Sequence, residues 1–278
     1  MVEKPKVPKA TDLTYGSYLK VSELITLQEP ESDPIHHDEM LFIVIHQTYE
    51  LWFRLILWEL EKAIEYMNKN KILRARHFVE RVVAIMKVLV KQIHILETMT
   101  PAEFTQFRNA LNPASGFQSA QFREFEFICG AKDPKFLRFF KNDPEATARL
   151  EKRLESQDLR HAYYEMLMRI GFDMPEAESC EAMLANPDLE EGVTRQLVAI
   201  YEDPEKHMSL FLLTEALVSL DQYLVMWREH HVHVVERVIG FKKGTGGSEG
   251  VGYLRTTLSK KCFPYLWAVR SLLGEIKP

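Results

Sequence analysis

Residues 213–250 read LTEALVSLDQYLVMWREHHVHVVERVIGFKKGTGGSEG. Leu213, Leu217, Leu220, Leu224, Trp227, His231, Val234 and Val238 recur at alternating spacings of four and three, which on a helix places them all on one face. That seam predicts a long core helix. Every member but His231 is apolar. His230 and His233 fall off the seam, beside polar neighbours such as Glu229 and Arg237, so the pattern selects His231 as the imidazole directed into the protein. Two readings are open for it: a neutral core histidine with one hydrogen bond, or a ligand to a buried metal or haem iron. The helix stops at Gly240, and Gly244, Gly246, Gly247 and Gly250 follow closely. Backbone so free of side chains suits either a mobile lid over a site or an ordinary connector.

Outward from this stretch, the chain of 278 residues is 46% hydrophobic and 27% charged, the composition of an ordinary globular protein of one large domain or two smaller ones. Its net charge of -5 and lack of a basic run argue against a nucleic-acid surface. No uninterrupted apolar run approaches the roughly 18 residues of a membrane span. Met1–Ala10 has no apolar core and does not read as a signal peptide. Cys129, Cys180 and Cys262 are odd in number and far apart, which fits reduced thiols in a cytoplasmic protein.

Residues 1–30 read as an N-terminal arm: a polar tail, then Leu13-Thr14-Tyr15-Gly16-Ser17-Tyr18-Leu19, suited to packing on another surface such as a second subunit. Val21–Leu27 predicts a short helix and Glu29–Pro34 a loop. A long helix is expected from His36 to about Met67, with Asp33 or Asp38 as its cap and Glu39 favourable in its first turn. Leu41–Ile45 is apolar on every face, which predicts burial all round. Phe42, His46, Tyr49, Glu50 and Phe53 share one face, so His46 is a polar tip in an aromatic wall, either a satisfied core histidine or a functional one. Glu50 and Arg54, four apart, predict an ion pair.

A second seam, Ala75, Val79, Val82, Met86, Leu89, Ile93 and Leu96, predicts another long helix over 71–97. Thr100-Pro101-Ala102-Glu103 starts a third with a capping box and proline at the first helical position. Arg108 lies one turn beyond Phe104. It is either a surface arginine covering apolar area or a fork for a carboxylate. Asn112–Gly116 is a turn, Gln118–Ile128 a helix, and Lys132–Arg195 a helical insert of shorter pieces with no visible chemistry. Val251–Cys262 and Pro264–Leu273 read as helices. Strand-like alternation is missing, so the fold class is all-α: a single-domain helical bundle over 1–278 with long core helices.

Several chemistries are excluded. There is no H-E-x-x-H zinc signature and no G-x-S-x-G elbow. None of the histidines follows a glutamate by three residues, which argues against a ferritin-like di-iron centre. The glycine loop lacks phosphate-loop order and follows a helix. His36, His37 and Asp38 have the residue types of a non-haem iron site, but adjacent side chains on a helix do not converge.

His36-His37-Asp38-Glu39-Met40-Leu41-Phe42-Ile43, His46-Gln47-Thr48 and Glu50-Leu51-Trp52 together resemble the first signature of the tryptophan 2,3-dioxygenase family. Ser115-Gly116-Phe117-Gln118-Ser119 resembles the second. Arg237-Val238-Ile239-Gly240-Phe241-Lys242, with Gly244-Thr245-Gly246-Gly247-Ser248 and Gly250-Val251-Gly252, resembles the third. Order and spacing fit from Leu13 to Pro264.

The resemblance implies an enzyme with haem b buried between helices, ferrous when active, that adds both atoms of O2 across the indole C2–C3 bond of L-tryptophan. The product would be N-formyl-L-kynurenine, the first step of degradation by the kynurenine route. It implies that His231 is the proximal haem ligand, that His46 hydrogen-bonds the indole N–H, and that Arg108 grips the substrate carboxylate. Thr245 in the lid would contact the ammonium and carboxylate groups, and Phe42 and Phe104 would wall the indole. Ser115 and Gly116 would line the distal side, against cofactor and substrate. Tyr15, Tyr18 and Leu19 would reach into a neighbouring subunit's site within a homotetramer. Phe104 stands where some bacterial relatives carry tyrosine, which removes a hydroxyl but keeps the wall. Two other functions stay open: a haem oxygenase of the same superfamily acting on a modified indole, and a non-enzymatic helical binding protein.

Overall fold

Where the sequence shows heptad spacing, the chain is helical. The computed structural model describes residues 13–174, 187–241 and 250–274, the side chains of 187–190 excepted, and among these there is no strand. In chain order the helices are α1 (Tyr15–Leu19), α2 (Val21–Leu24), α3 (His37–Asn68), α4 (Ile72–Leu96), α5 (Pro101–Arg108) and α6 (Ala120–Ile128). They continue with α7 (Pro144–Glu155), α8 (Leu159–Arg169), α9 (Pro187–Glu202), α10 (Met208–Val238), α11 (Val251–Thr256) and α12 (Pro264–Leu272). Short 3-10 turns at Gly116–Gln118 and Pro134–Phe140 lie on either side of α6.

The centre is a stack of three long helices. α4 packs along both α3 and α10 and buries its whole predicted seam, Ala75 through Leu96. On α10, Leu213, Leu217, Leu220, Leu224, Val234 and Val238 are buried, while Trp227 and His231 are half-buried. α3 and α10 meet through side chains, with Trp227 edge-on to Tyr49 and Phe53 at centroid distances of 6.0 and 6.3 Å. α6 and α8 close the sides of α3. A smaller apolar cluster gathers Ala120, Phe127, Phe136, Phe140, Ala146 and Leu150. α8, within the 132–195 segment, belongs to the main core: Leu159, Ala162, Tyr163, Met166 and Leu167 are buried, and the Tyr163 hydroxyl pairs with Thr214 Oγ1 at 2.7 Å.

Several local expectations are corrected by the structure. α3 is capped by His36, whose Nδ1 accepts the Asp38 N–H at 3.3 Å, and not by Asp33 or Asp38. Asp38 already lies in the first turn, so its own side chain is too far along the helix to cap it. Glu39 instead reaches back to the incoming loop, accepting the N–H groups of Glu31 and Ser32 at 2.7 and 3.1 Å. Leu41–Ile45 is not buried all round. Only Ile45 is; Val44 belongs to an exposed stripe with Met40, Leu51 and Trp58, on a face that no other helix covers among the described residues. The short helix after Val21 ends at Leu24 rather than Leu27. α3 and α10 each hold an 18-residue window of mean hydropathy 1.3, long and apolar enough by that measure to cross a membrane, which counting uninterrupted apolar residues misses. Half of the α10 window is buried within the protein.

Capping chemistry fixes the helix ends near the pocket. Thr100 and Glu103 make the expected box, with Glu103 N–H to Thr100 Oγ1 at 3.2 Å and Thr100 N–H to Glu103 at 2.7 Å. Gly240, at φ 70°, ends α10 with its N–H on the Val235 carbonyl at 3.1 Å, a left-handed position that favours glycine.

α10 is tied to the C-terminal segment by Asp221, which is fully buried. Its carboxylate accepts the backbone N–H groups of Cys262 and Phe263 at 2.8 and 3.2 Å and Trp267 Nε1–H at 3.0 Å. Removing it strands two buried backbone donors and the half-buried Trp267 N–H. Asp221→Ala is expected to lose about 3–4 kcal/mol of stability, read as a lowered urea midpoint; an unchanged midpoint would refute the anchor.

Candidate active site

The aromatic wall expected on α3 is present. Phe42 lies 4.0 Å from the His46 ring and 5.8 Å from Phe104, centroid to centroid. Phe107 closes the cluster, edge-on to Phe104 at 5.3 Å. α5 brings Phe104 and Phe107 here because it packs against both α3 and α10. Arg108 is its last residue, half-buried on the turn after Phe104.

His46 Nδ1 stands 2.7 Å from the Phe42 carbonyl oxygen. A carbonyl can only accept, so Nδ1 carries the proton and Nε2 presents the lone pair. Burial lowers the pKa of this imidazole below its ordinary value, outweighing the opposite pull of the Phe42 carbonyl and of Glu50. The neutral ring therefore offers one hydrogen-bond acceptor, Nε2.

His231 faces it from α10. Its pKa is lowered to about 4, first by burial and then by the charges of His46 and Arg123. It is neutral at physiological pH. Its ring stacks on Trp227 at 5.2 Å with an interplanar angle of 13°. Among the described residues neither of its ring nitrogens makes a hydrogen bond, so the core-histidine reading with one satisfied nitrogen does not hold. Protein atoms crowd around both rings, yet His46 is exposed by surface area and His231 only half-buried. Such side chains line an opening within the protein rather than its outer surface.

The α3–α6 junction holds this opening together. Ser119 Oγ donates to Glu50 at 2.6 Å, and Gln121 Nε2 donates to the Glu50 carboxylate and backbone carbonyl, both at 2.9 Å. Glu50 thus pairs across to α6, and the expected Glu50–Arg54 ion pair does not form; two neutral donors in fixed positions outcompete a flexible arginine on the same helix. Ser115 caps the Gly116–Gln118 turn, its N–H on Gln118 Oε1 at 2.9 Å. Tyr15 and Tyr18 are 79% and 70% exposed and, among the described residues, have no ring contact with the Phe42–Phe104 wall of their own chain. Leu19 is exposed beside them. Thr245 and most of the glycine loop lie outside the described residues.

The model of one family, tryptophan 2,3-dioxygenase, matches residues 3–179 and 184–273. The chain belongs to the tryptophan 2,3-dioxygenase family. It is 44% identical over 270 residues to the tryptophan 2,3-dioxygenase of Nocardioides sp., covering 95% of this chain and 96% of the relative. It is 40% identical over 262 residues to that of Xanthomonas euvesicatoria pv. vesicatoria, covering 94% and 88%. In this member of the tryptophan 2,3-dioxygenase family the structure adds residues that the sequence reading missed. Phe107, three residues after Phe104 on α5, completes the aromatic wall. Ser119 and Gln121 fix Glu50, and only the serine, as a helix cap, left a signal. Arg123, whose charge reaches His231, left none.

Proposed function

We propose that this chain is a haem-dependent dioxygenase that cleaves the indole C2–C3 bond of L-tryptophan with O2, giving N-formyl-L-kynurenine. The observation that carries the reading is His231: a half-buried, neutral imidazole with no hydrogen bond among the described residues, opposite a second neutral imidazole whose acceptor nitrogen is defined. Among the described residues no three His, Cys, Asp or Glu side chains converge as metal ligands. A lone imidazole holds a bare ion poorly but suits an iron already held by a macrocycle. The donor set and the aromatic lining fit haem b, whose iron His231 would hold through a ring nitrogen, with Ser115 and Gly116 lining the cofactor site. Haem, when bound, supplies ferrous iron at which O2 is activated.

The chain's own residues bind and orient. His46 Nε2 accepts the indole N–H and fixes the rotation of the ring; as a neutral acceptor it positions that proton and has no need to remove it. Phe42 and Phe104 wall the indole on one side and keep water away from it. Arg108 takes the carboxylate through two parallel N–H donors and sets the depth of the indole. Thr245, in the lid, would complete the grip on the amino-acid end. The exposed Tyr15, Tyr18 and Leu19 support a homotetramer in which each arm enters a neighbour's site, since among the described residues nothing covers their apolar surface. The single bundle over 1–278 and a cytoplasmic location complete the proposal.

A visible spectrum of the purified protein supplied with haem, followed by mass spectrometry of the product formed from L-tryptophan and isotopically labelled O2, tests it. A Soret band and a product carrying two labelled oxygens are expected. No Soret band would leave a helical binding protein; a Soret band with no product would point to another indole. His46→Ala is expected to keep haem and lose about 10–100-fold in kcat/KM, the loss of one positioning hydrogen bond. Unchanged kinetics would remove His46 from the site.

A further inference from the structure

Trp227 and His231 stand four residues apart on one face of α10, where side chains of that spacing are neighbours. Their rings lie nearly parallel, with centroids 5.2 Å apart and planes inclined by 13°. That is an offset stack, one of the favoured arrangements of two flat π systems. The tryptophan cannot turn freely beneath the imidazole. Tyr49 and Phe53 of α3 press on it edge-on, at interplanar angles of 68° and 83°. Phe122 of α6 lies against it at 4.9 Å. Tyr49 is fixed in turn, because its hydroxyl donates to the Leu89 carbonyl of α4 at 2.8 Å. The plane of the Trp227 ring is therefore set by how α3, α4 and α6 dock around α10.

His231 lacks the device that usually orients a metal-bound imidazole. Such a ring almost always donates its second N–H to a carboxylate, a backbone carbonyl or water, and that bond fixes its rotation. Among the described residues no protein group bonds either nitrogen of His231, and the one ring stacked on it is Trp227. We infer that Trp227 is a positioning residue: its flat face, in place of a hydrogen bond from the protein, sets the plane of the imidazole that His231 presents to the cofactor iron. The inference rests on the haem reading above. A stacked indole differs from a carboxylate partner in one chemical respect. It restrains rotation without drawing on the imidazole proton, so the ring stays a neutral donor with no push toward imidazolate.

The test begins with wild-type protein loaded with haem b, as its ferric cyanide complex, read by proton NMR. A fixed imidazole plane spreads the paramagnetic shifts of the haem methyl groups, and a turning ring averages them. A wide spread is expected. Trp227→Met fills much of the same space without a flat face. It is expected to compress the spread, to broaden the iron–histidine stretching band of the ferrous form, and to lower kcat about tenfold with KM for L-tryptophan unchanged, the lower end of what loss of an outer-sphere partner costs. Trp227→Phe keeps a ring in the same aromatic cluster and should restore most of the spread and of kcat. A compressed spread in the wild-type protein overturns the inference without any variant. So does a Trp227→Met protein with the wild-type spread, and so do Met and Phe variants altered alike, which is the mark of a packing role. If the wild-type protein takes up no haem, the haem reading itself fails, a result distinct from the others.

Discussion

His231→Ala protein is expected to purify folded and colourless. The substitution removes an α10 imidazole that is neutral, stacked on Trp227 and, among the described residues, without a hydrogen bond. Its neighbours cannot replace it. His233 is exposed off the seam, and His230 is turned toward His94 at 4.8 Å on the side of α4. Haem affinity should fall by well over about 100-fold, more than second-sphere changes at metal sites cost, and turnover should fall with it. The helix itself should persist, because its buried leucines and the Asp221 anchor lie away from the substitution. Circular dichroism and a haem titration separate the two effects. A variant with wild-type Soret intensity and normal turnover would falsify the ligand assignment.

Arg108→Ala is expected to show the second largest effect, a loss of about 100- to 1,000-fold in kcat/KM for L-tryptophan, corresponding to about 3–4 kcal/mol for a desolvated charge pair. Both constants should change. KM rises because the carboxylate loses its partner, and kcat falls because the same contact sets where the indole lies against Phe42 and His46. Tryptamine, which lacks the carboxylate, checks the assignment: the wild-type protein should handle it as poorly as the variant handles L-tryptophan. A variant whose constants match those of the wild-type protein would return Arg108 to the role of a surface arginine.

The three long helices were legible because each buries one stripe, and burial of a stripe writes a spacing of three and four into the chain. His231 was legible for the same reason, as the one polar member of such a stripe. The aromatic wall on α3 could be read as a face, but its closure by Phe107 could not, since contact between α3 and α5 depends on how the helices dock. Glu50 shows the limit most clearly. Its nearest cation in sequence is Arg54, yet its partners are Ser119 and Gln121, some seventy positions away. The Arg123–Glu126–Arg228 group was hidden likewise: the local pair is an ordinary helical spacing, and only the tertiary fold brings in the second arginine and buries all three. The exposed stripe on α3 escaped because a run of apolar residues does not say which of its faces another element will cover.

Asp221, Arg228 and His231 stand on one rigid rod, three points along α10 fastened respectively to the C-terminal segment, to α6 and, on the haem reading, to iron. A rod bolted at two points transmits displacement at either bolt to the third. Loosening the chain around Cys262 should therefore tilt the imidazole without touching it, so that mutations near the carboxyl end register as changes in cofactor colour before they register as loss of fold.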